Sequence, residues 1–567
     1  MPTTIKFSYK SDRYFEFLSD YKKDIKSQLK EFKKKKYLEK FFNFNYFLWS
    51  QNPDEITNRL GWLYIHSVML DAVSDIESFA EEIKNEGYRD ILLLGMGGSS
   101  LSSDVFKDIF GIKKGFPDLT IVDTTDPDFI YELRKRIDLK KTLIIVSTKS
   151  GSTVETLSAM KFFYNEFGGK NAGKHFIGIT DPGSKLLKIA DDFKFRKIFV
   201  NDPNIGGRFS VLSYFGLVPA SLMGVDIGKV LKSASSICSG LNHQDADYFD
   251  NPALRLGTIL GVLSKHGRDK LTFVFSKKLY SFGYWAEQLI AESTGKNGVG
   301  IMPVLDQKNF SKEYLSDDRL FIVFTTPDDK KTEKRMCEIT GQKQPLIKIV
   351  VDDINQLGAE FFRFEFATSV AGSIMGINPF DQPDVESAKI MTKKFLDELG
   401  KSANPKKKKY DFEKNELKFC SNISFISFED LINKIRSGKQ SYISIHAYIN
   451  PDFQNKNKLA KLRDRLEDQS HLPVTLGFGP RFLHSTGQLH KGDKGKGLFI
   501  QLVGENNHGV SIPDELGSNN SRISFGLLKK AQAAGDYMAL DSKNRPVVTV
   551  YLSSDTPGDI QKIIDLF

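Results

Sequence analysis

The chain has 567 residues, 40% hydrophobic and 27% charged, with a formal net charge of +9. That length is a prior for roughly three to four domains, and the composition is that of a globular protein with large cores. No run of about eighteen apolar residues occurs, and the start (MPTTIKFSYK) has no apolar signal core, so neither a membrane span nor a leader is expected.

In chain order, residues 1–80 are helix-rich: "YFEFLSDYKKDIKSQLKEF" and "MLDAVSDIESFAEEIKNEG" repeat apolar residues at helical intervals. Lysines crowd residues 32–42, which read as a solvated helix face. Continuous apolar strands then alternate with helical stretches at 90–94, 119–123, 142–147, 175–179 and 196–200. That alternation predicts a parallel sheet covered on both faces. The pattern restarts at 271–275, 320–325 and 346–351, a second α/β unit that suggests duplication. A lysine run after Asn404-Pro405 reads as a linker. Beyond it, "SYISIHAYI", "PVTLGFG", "GLFIQLVG" and "PVVTVYL" alternate with helices as a smaller α/β module. The expected organisation is a helical region at 1–80, doubly wound parallel-sheet domains at 81–250 and 251–403, a linker at 404–414 and a C-terminal module at 415–567.

Neither lysine run carries a recognition motif, so no nucleic-acid partner is expected, although a basic surface favours anionic small molecules. Cys238, Cys337 and Cys420 lie too far apart for a metal or disulfide framework, which suits a reducing cytoplasm.

Two strand ends carry chemistry. "ILLLGMGGSSLSS" (91–103) is a buried strand running into Gly97, Gly98 and Ser99. Bare N–H groups and hydroxyls beside a helix start suit a phosphate, and tight packing remains an open alternative. In "LIIVSTKSGSTVETLSAMKFF" a second buried strand ends in Thr148, Lys149, Ser150 and Thr153, with Glu155 in the first helical turn, where the dipole favours it. Two such loops at the ends of parallel strands of one sheet point to a phosphate cradle rather than a solvated cap.

These residues carry a resemblance. "VSTKSGSTVET" is similar to the phosphate loop of sugar isomerase (SIS) domains, and "GMGGSS" to the first glycine loop of the glucose-6-phosphate isomerase family. "GGRFSVLS" (206–213) resembles that family's arginine signature. "EQLIAESTGKNG" (287–298) resembles the helix end with its catalytic glutamate, and "NPFDQPDVESAK" (378–389) its second signature, with Asp384 where the pattern has glycine. "FGPRFLHSTGQLHKGD" and "GLLKKAQAAGDYMAL" look like the tail of bacterial transaldolase fusions of this isomerase, without room for the transaldolase barrel.

The resemblance implies two SIS domains and isomerisation of glucose 6-phosphate and fructose 6-phosphate in a cytoplasmic homodimer. Such a reaction moves a proton between C1 and C2, and needs a carboxylate base, a cation for the enediolate oxygen and an acid/base for ring opening. By resemblance, Glu292 is the base, and Arg208 with the Gly207 backbone stabilises the enediolate. Ser99, Thr148, Lys149, Ser150 and Thr153 hold the phosphate, Gln288 and Gln382 position the sugar, and Lys389 helps ring opening. No metal or cofactor is needed. Read alone, Glu292 is a surface carboxylate, Arg208 an ion pair, and Gln382, Glu386 and Lys389 a solvated stripe.

The family draws its ring-opening histidine from a segment between the glutamate and the second signature, supplied by the neighbouring subunit. Here no histidine occurs between His266 and His446. "LHSTGQLHKG" (483–492) resembles that segment but follows the second signature, so the role falls to His484 or His490. Two alternatives stand beside this reading: a non-catalytic sugar-phosphate sensor on the same fold, and an isomerase that also accepts mannose phosphate.

Overall fold

The computed structural model describes residues 5–6, 14–168, 171–242, 246–384, 390–391, 410–425, 427–438 and 440–567. The class is α/β: among the described residues, three larger sheets have mostly parallel strands, and Ser511–Ile512 pairs with Ile523–Ser524 as a small antiparallel ribbon.

The first sheet orders its strands Asp118–Val122, Asp90–Leu94, Thr142–Ser147, Phe176–Thr180 and Lys197–Val200, all parallel. Numbered along the chain this is 2-1-3-4-5, so the winding direction reverses between Asp90–Leu94 and Thr142–Ser147. A reversal opens a crevice at the carboxyl ends of the two flanking strands. The glycine loop follows one of those strands and the hydroxyl loop the other. Thr142–Ser147 is buried along its whole length, which is why it reads as an unbroken apolar run.

In the second sheet Leu346–Val350, Arg319–Thr325, Lys270–Phe275 and Met302–Val304 are parallel neighbours in that order, repeating the 2-1-3-4 core. The helix Phe282–Thr294 follows Lys270–Phe275. Tyr14–Phe17 adds an antiparallel edge strand against Leu346–Val350. That stretch was expected to be helical. Pairing with the sheet edge overrides its helical spacing, and an ion pair of Glu16 with Arg255 ties it down; the helix begins only at Lys22.

The third sheet places Val547–Leu552, Gly497–Gly504, Tyr442–Tyr448 and Val474–Phe478 side by side in parallel, the same 2-1-3-4 order again. Its edge is the hairpin Phe412–Lys414 and Leu417–Ser421. Residues 412–414, expected in the linker, therefore belong to this sheet, and Phe412 stacks on Phe419 with centroids 4.5 Å apart.

One core cluster spans the N-terminal helices and the first two sheets, and Trp62, Phe209, Phe362 and Phe366 are fully buried in it. A separate cluster fills the C-terminal module. Among the described residues no helix is long and apolar enough to cross a membrane.

Candidate active site

The glycine loop is held against protein on both sides. A Cβ on Gly97 would lie 2.7 Å from the His484 carbonyl oxygen and 2.8 Å from Gln288 Nε2; one on Gly98 would lie 1.9 Å from the Gly207 carbonyl oxygen. Gly97 also has φ of +55°, a conformation glycine adopts without strain. The loop is thus packed against backbone of the arginine signature and of the histidine segment, and against the Gln288 side chain of the glutamate helix. Ser147 Oγ donates to the Ser99 carbonyl at 3.0 Å, linking the glycine loop to the hydroxyl loop.

Glu292 sits in the last turn of Phe282–Thr294, its side chain 13% exposed. One oxygen lies 3.2 Å from Arg208 Nη1, and the other accepts from Gln288 Nε2 at 3.0 Å. The i,i+4 spacing of Gln288 and Glu292 makes this contact possible. Gln288 Nε2 also donates to the His484 carbonyl at 2.8 Å, while its buried Oε1 has no partner among the described residues.

The Arg208 guanidinium is buried. Nε donates to Ser293 Oγ at 2.7 Å, Nη1 to Gln382 Oε1 at 3.0 Å, and Nη2 to the carbonyls of Pro379 and Asp381 at 2.6 and 2.9 Å. Burial pushes its pKa below the usual arginine value, opposed by Glu292 and Asp381. A second cation reinforces the same loop. Lys296 Nζ donates to the backbone oxygen and the carboxylate of Asp381, at 2.5 and 2.6 Å. Burial, then the charge of Arg208, lower its pKa to about 8.

In the hydroxyl loop, Thr148 Oγ1 and Thr153 Oγ1 are 3.1 Å apart, as are Ser150 Oγ and Ser152 Oγ at 2.7 Å. Among the described residues, no side chain caps the helix Val154–Glu166 that starts here. Lys149 Nζ turns away to the Asp181 carboxylate and the Pro203 carbonyl.

The structure separates the two histidines. His484 Nε2 lies 3.1 Å from Glu155 Oε1, and Nδ1 has no protein partner among the described residues. His490 points into the C-terminal module. Its ring is 4.8 Å from His446 and 5.1 Å from Phe499, neither nitrogen has a partner among the described residues, and burial pushes its pKa well below the usual value. It is not brought to the Glu292 cluster. Lys389 lies outside the described residues. Asp384 accepts from Gln488 Nε2 at 2.8 Å and Lys543 Nζ at 2.9 Å, so the residue that departs from the signature fastens that loop to the C-terminal module.

Sequence reasoning missed Lys296, Ser293, Asp381 and the partnership of Glu155. All four stood inside stretches singled out for other residues. It also missed Gln532, for which the helical pattern gave no signal. Among the described residues no group of three or more His, Cys, Asp or Glu side chains could hold a metal ion.

The family model for phosphoglucose isomerase matches residues 71–309. A probable glucose-6-phosphate isomerase of Methanococcus maripaludis is 31% identical over 379 residues, 59% of this chain and 84% of the relative. The glucose-6-phosphate isomerase of Methanocaldococcus jannaschii is 30% identical over 341 residues, 53% and 83% of the respective chains. Among solved structures, a glucose-6-phosphate isomerase of Chlamydia trachomatis superposes with a TM-score of 0.58 at 17% identity, over 69% of this chain and 89% of its own. That likeness concerns the fold.

Proposed function

The chain belongs to the phosphoglucose isomerase family, and from that premise we propose that the cluster around Glu292 interconverts glucose 6-phosphate and fructose 6-phosphate through a cis-enediol. The activity is that of an intramolecular aldose–ketose isomerase in glycolysis and gluconeogenesis. The observation that carries the site assignment is a nearly buried carboxylate, Glu292, held between a buried guanidinium and an amide.

The chemistry follows from those contacts. Ring opening breaks the C1–O5 bond, with a proton leaving O1 and one arriving at O5. His484 suits that transfer: Glu155 takes its Nε2–H, leaving the Nδ1 lone pair to exchange protons. Glu292 then takes the C2 proton and returns it to C1, while the hydroxyl proton moves from O2 to O1. As Glu292 becomes neutral, the Arg208 charge it had balanced turns to the enediolate oxygen forming beside it. Gln288 Oε1 and Gln382 Nε2 are left to meet sugar hydroxyls. Ser150 and Thr153, with the uncapped helix N–H groups and Ser99, receive the phosphate. Lys149, engaged by Asp181, contributes charge from a distance. Lys389 keeps its ring-opening role on resemblance alone, and His490 has none. Homodimer formation and a cytoplasmic location belong to the same reading; the three free cysteines, one buried, support a reducing compartment.

The test is Glu292→Gln, which keeps shape and hydrogen bonding but removes the proton acceptor. In a coupled assay of fructose 6-phosphate conversion, turnover falls by about 10²–10⁴-fold or more with little change in KM. Near-normal turnover would overturn the assignment.

A further inference from the structure

Behind the Glu155–His484 pair stands a residue from a different part of the chain. The helix Phe525–Ser542 carries Lys529, Gln532 and Asp536 at i, i+3 and i+7, one face of a helix. All three are buried, at 0%, 3% and 0% exposure. Each has a partner. Lys529 Nζ donates to Asp126 Oδ2 at 2.7 Å. Asp536 accepts from Lys491 Nζ at 2.7 Å and faces His446 Nδ1 at 3.2 Å. Gln532 Nε2 donates to Glu155 Oε1 at 2.6 Å, and its Oε1 accepts from Thr125 Oγ1 at 2.7 Å.

The orientation of the Gln532 amide follows from its neighbours. A carboxylate only accepts, so the NH2 end faces Glu155, and the Thr125 hydroxyl supplies a proton to the other end. The same Glu155 oxygen, Oε1, takes both the Gln532 N–H and the His484 ring nitrogen. A hydrogen bond to a charged acceptor inside a protein is stronger than one between neutral groups and restricts where the acceptor can point. Thr125 therefore fixes Gln532, Gln532 fixes Glu155, and Glu155 fixes both the tautomer and the direction of the His484 imidazole.

We infer that Gln532 is a positioning residue for ring opening, acting through Glu155 on His484. It touches neither sugar nor phosphate. Its effect is confined to the step in which the imidazole must meet the ring oxygen, and it leaves proton transfer at C1 and C2 to Glu292. This rests on the reading of His484 as the ring-opening group.

The experiment uses the full-length protein and Gln532→Met, which keeps length and volume but has no N–H donor. Turnover of cyclic glucose 6-phosphate falls about ten-fold, with KM within about two-fold, the scale expected for loss of one charge-assisted hydrogen bond that sets geometry. Binding of 6-phosphogluconate, an open-chain anion with no ring to open, is unchanged. In a His484→Ala background Gln532→Met adds no further loss, because the path through which it acts is gone. Parental turnover of Gln532→Met, an equal proportional loss in the His484→Ala background, or weakened 6-phosphogluconate binding each overturns the inference. If His484→Ala itself turns over cyclic substrate at the parental rate, the reading of His484 falls and the inference with it. His484→Ala slow with Gln532→Met unimpaired removes Gln532 alone. Should Gln532→Met fail to fold, Gln532→Glu keeps the shape and sets carboxylate against carboxylate; turnover again falls, and again not in the His484→Ala background.

Discussion

Lys296 carries a positive charge to a place where Arg208 already holds one, and Asp381 and Glu292 are the carboxylates set directly against them. With its pKa lowered to about 8, the ammonium is charged at neutral pH and loses its proton just above it. Deprotonation removes the charge from the bonds to Asp381, the residue before Gln382, and so loosens the loop that Arg208 grips from the other side. The kcat/KM profile for fructose 6-phosphate accordingly has a basic limb near pH 8, and activity falls as pH rises through it. Lys296→Met loses that limb and raises KM several-fold, roughly what one charge-assisted hydrogen bond is worth; a pH series on both proteins checks it, and an unchanged limb counts against the account. Lys296 was in view in the sequence, in "EQLIAESTGKNG", but nothing in the stretch said that the helix end would be buried beneath the second-signature loop. A residue's type and neighbours are legible in a sequence, whereas the charge of Asp381, set against Lys296 from 85 positions away, is not. Glu155 illustrates the same limit. Its place in the first helical turn could be read, but its partner His484 lies 329 positions on.

At the scale of elements, the five strands of the first sheet and three of the second were legible to within about one residue, because strands buried on both faces must be apolar throughout, whereas the short strand Met302–Val304 was not read. The sequence interval 142–147 and the strand Thr142–Ser147 coincide. The edge strand Tyr14–Phe17 was hidden by the helical spacing that follows it. The glycine loop was recognised as a close approach, but what approaches Gly98 is the Gly207 backbone. This separates the two glycines experimentally. Gly98→Ala puts a Cβ 1.9 Å from the Gly207 carbonyl oxygen, and neither backbone can move without pulling Arg208 or the sheet with it. That variant loses about 1–3 kcal/mol of stability, as overpacked sites do, and most of its turnover. A Cβ on Gly207 meets nothing within 4 Å, so Gly207→Ala melts at the parental temperature. Thermal unfolding of the pair checks this, and equal melting temperatures for Gly98→Ala and the parent would show that the loop is not packed as described.

At the scale of the whole molecule, the C-terminal module carries His484 to Glu155, and it is docked by charges that cannot easily let go. Lys529 and Asp126 are paired at 2.7 Å with almost no exposure, and Arg481 reaches Asp104 at 2.5 Å and Asp123 at 2.8 Å. The Asp128 carboxylate accepts the backbone N–H groups of Asn507 and His508. Separating such pairs would leave buried charges uncompensated, so the module holds one orientation. In that orientation Gln288 Nε2 donates to both Glu292 and the His484 carbonyl of the same chain. On the reading proposed above, Glu292, Arg208 and the His484 segment then serve one site within one polypeptide. Mixing experiments distinguish this from a site shared between chains. If His484 served a neighbour's Glu292, mixed dimers of Glu292→Gln and His484→Ala would each contain one intact site, and random exchange would restore about a quarter of the parental activity. With both groups in one chain, every site in the mixture lacks one or the other. Co-refolding equal amounts of the two variants should recover no activity above their sum, and recovery toward a quarter would place the histidine of one subunit in the site of another.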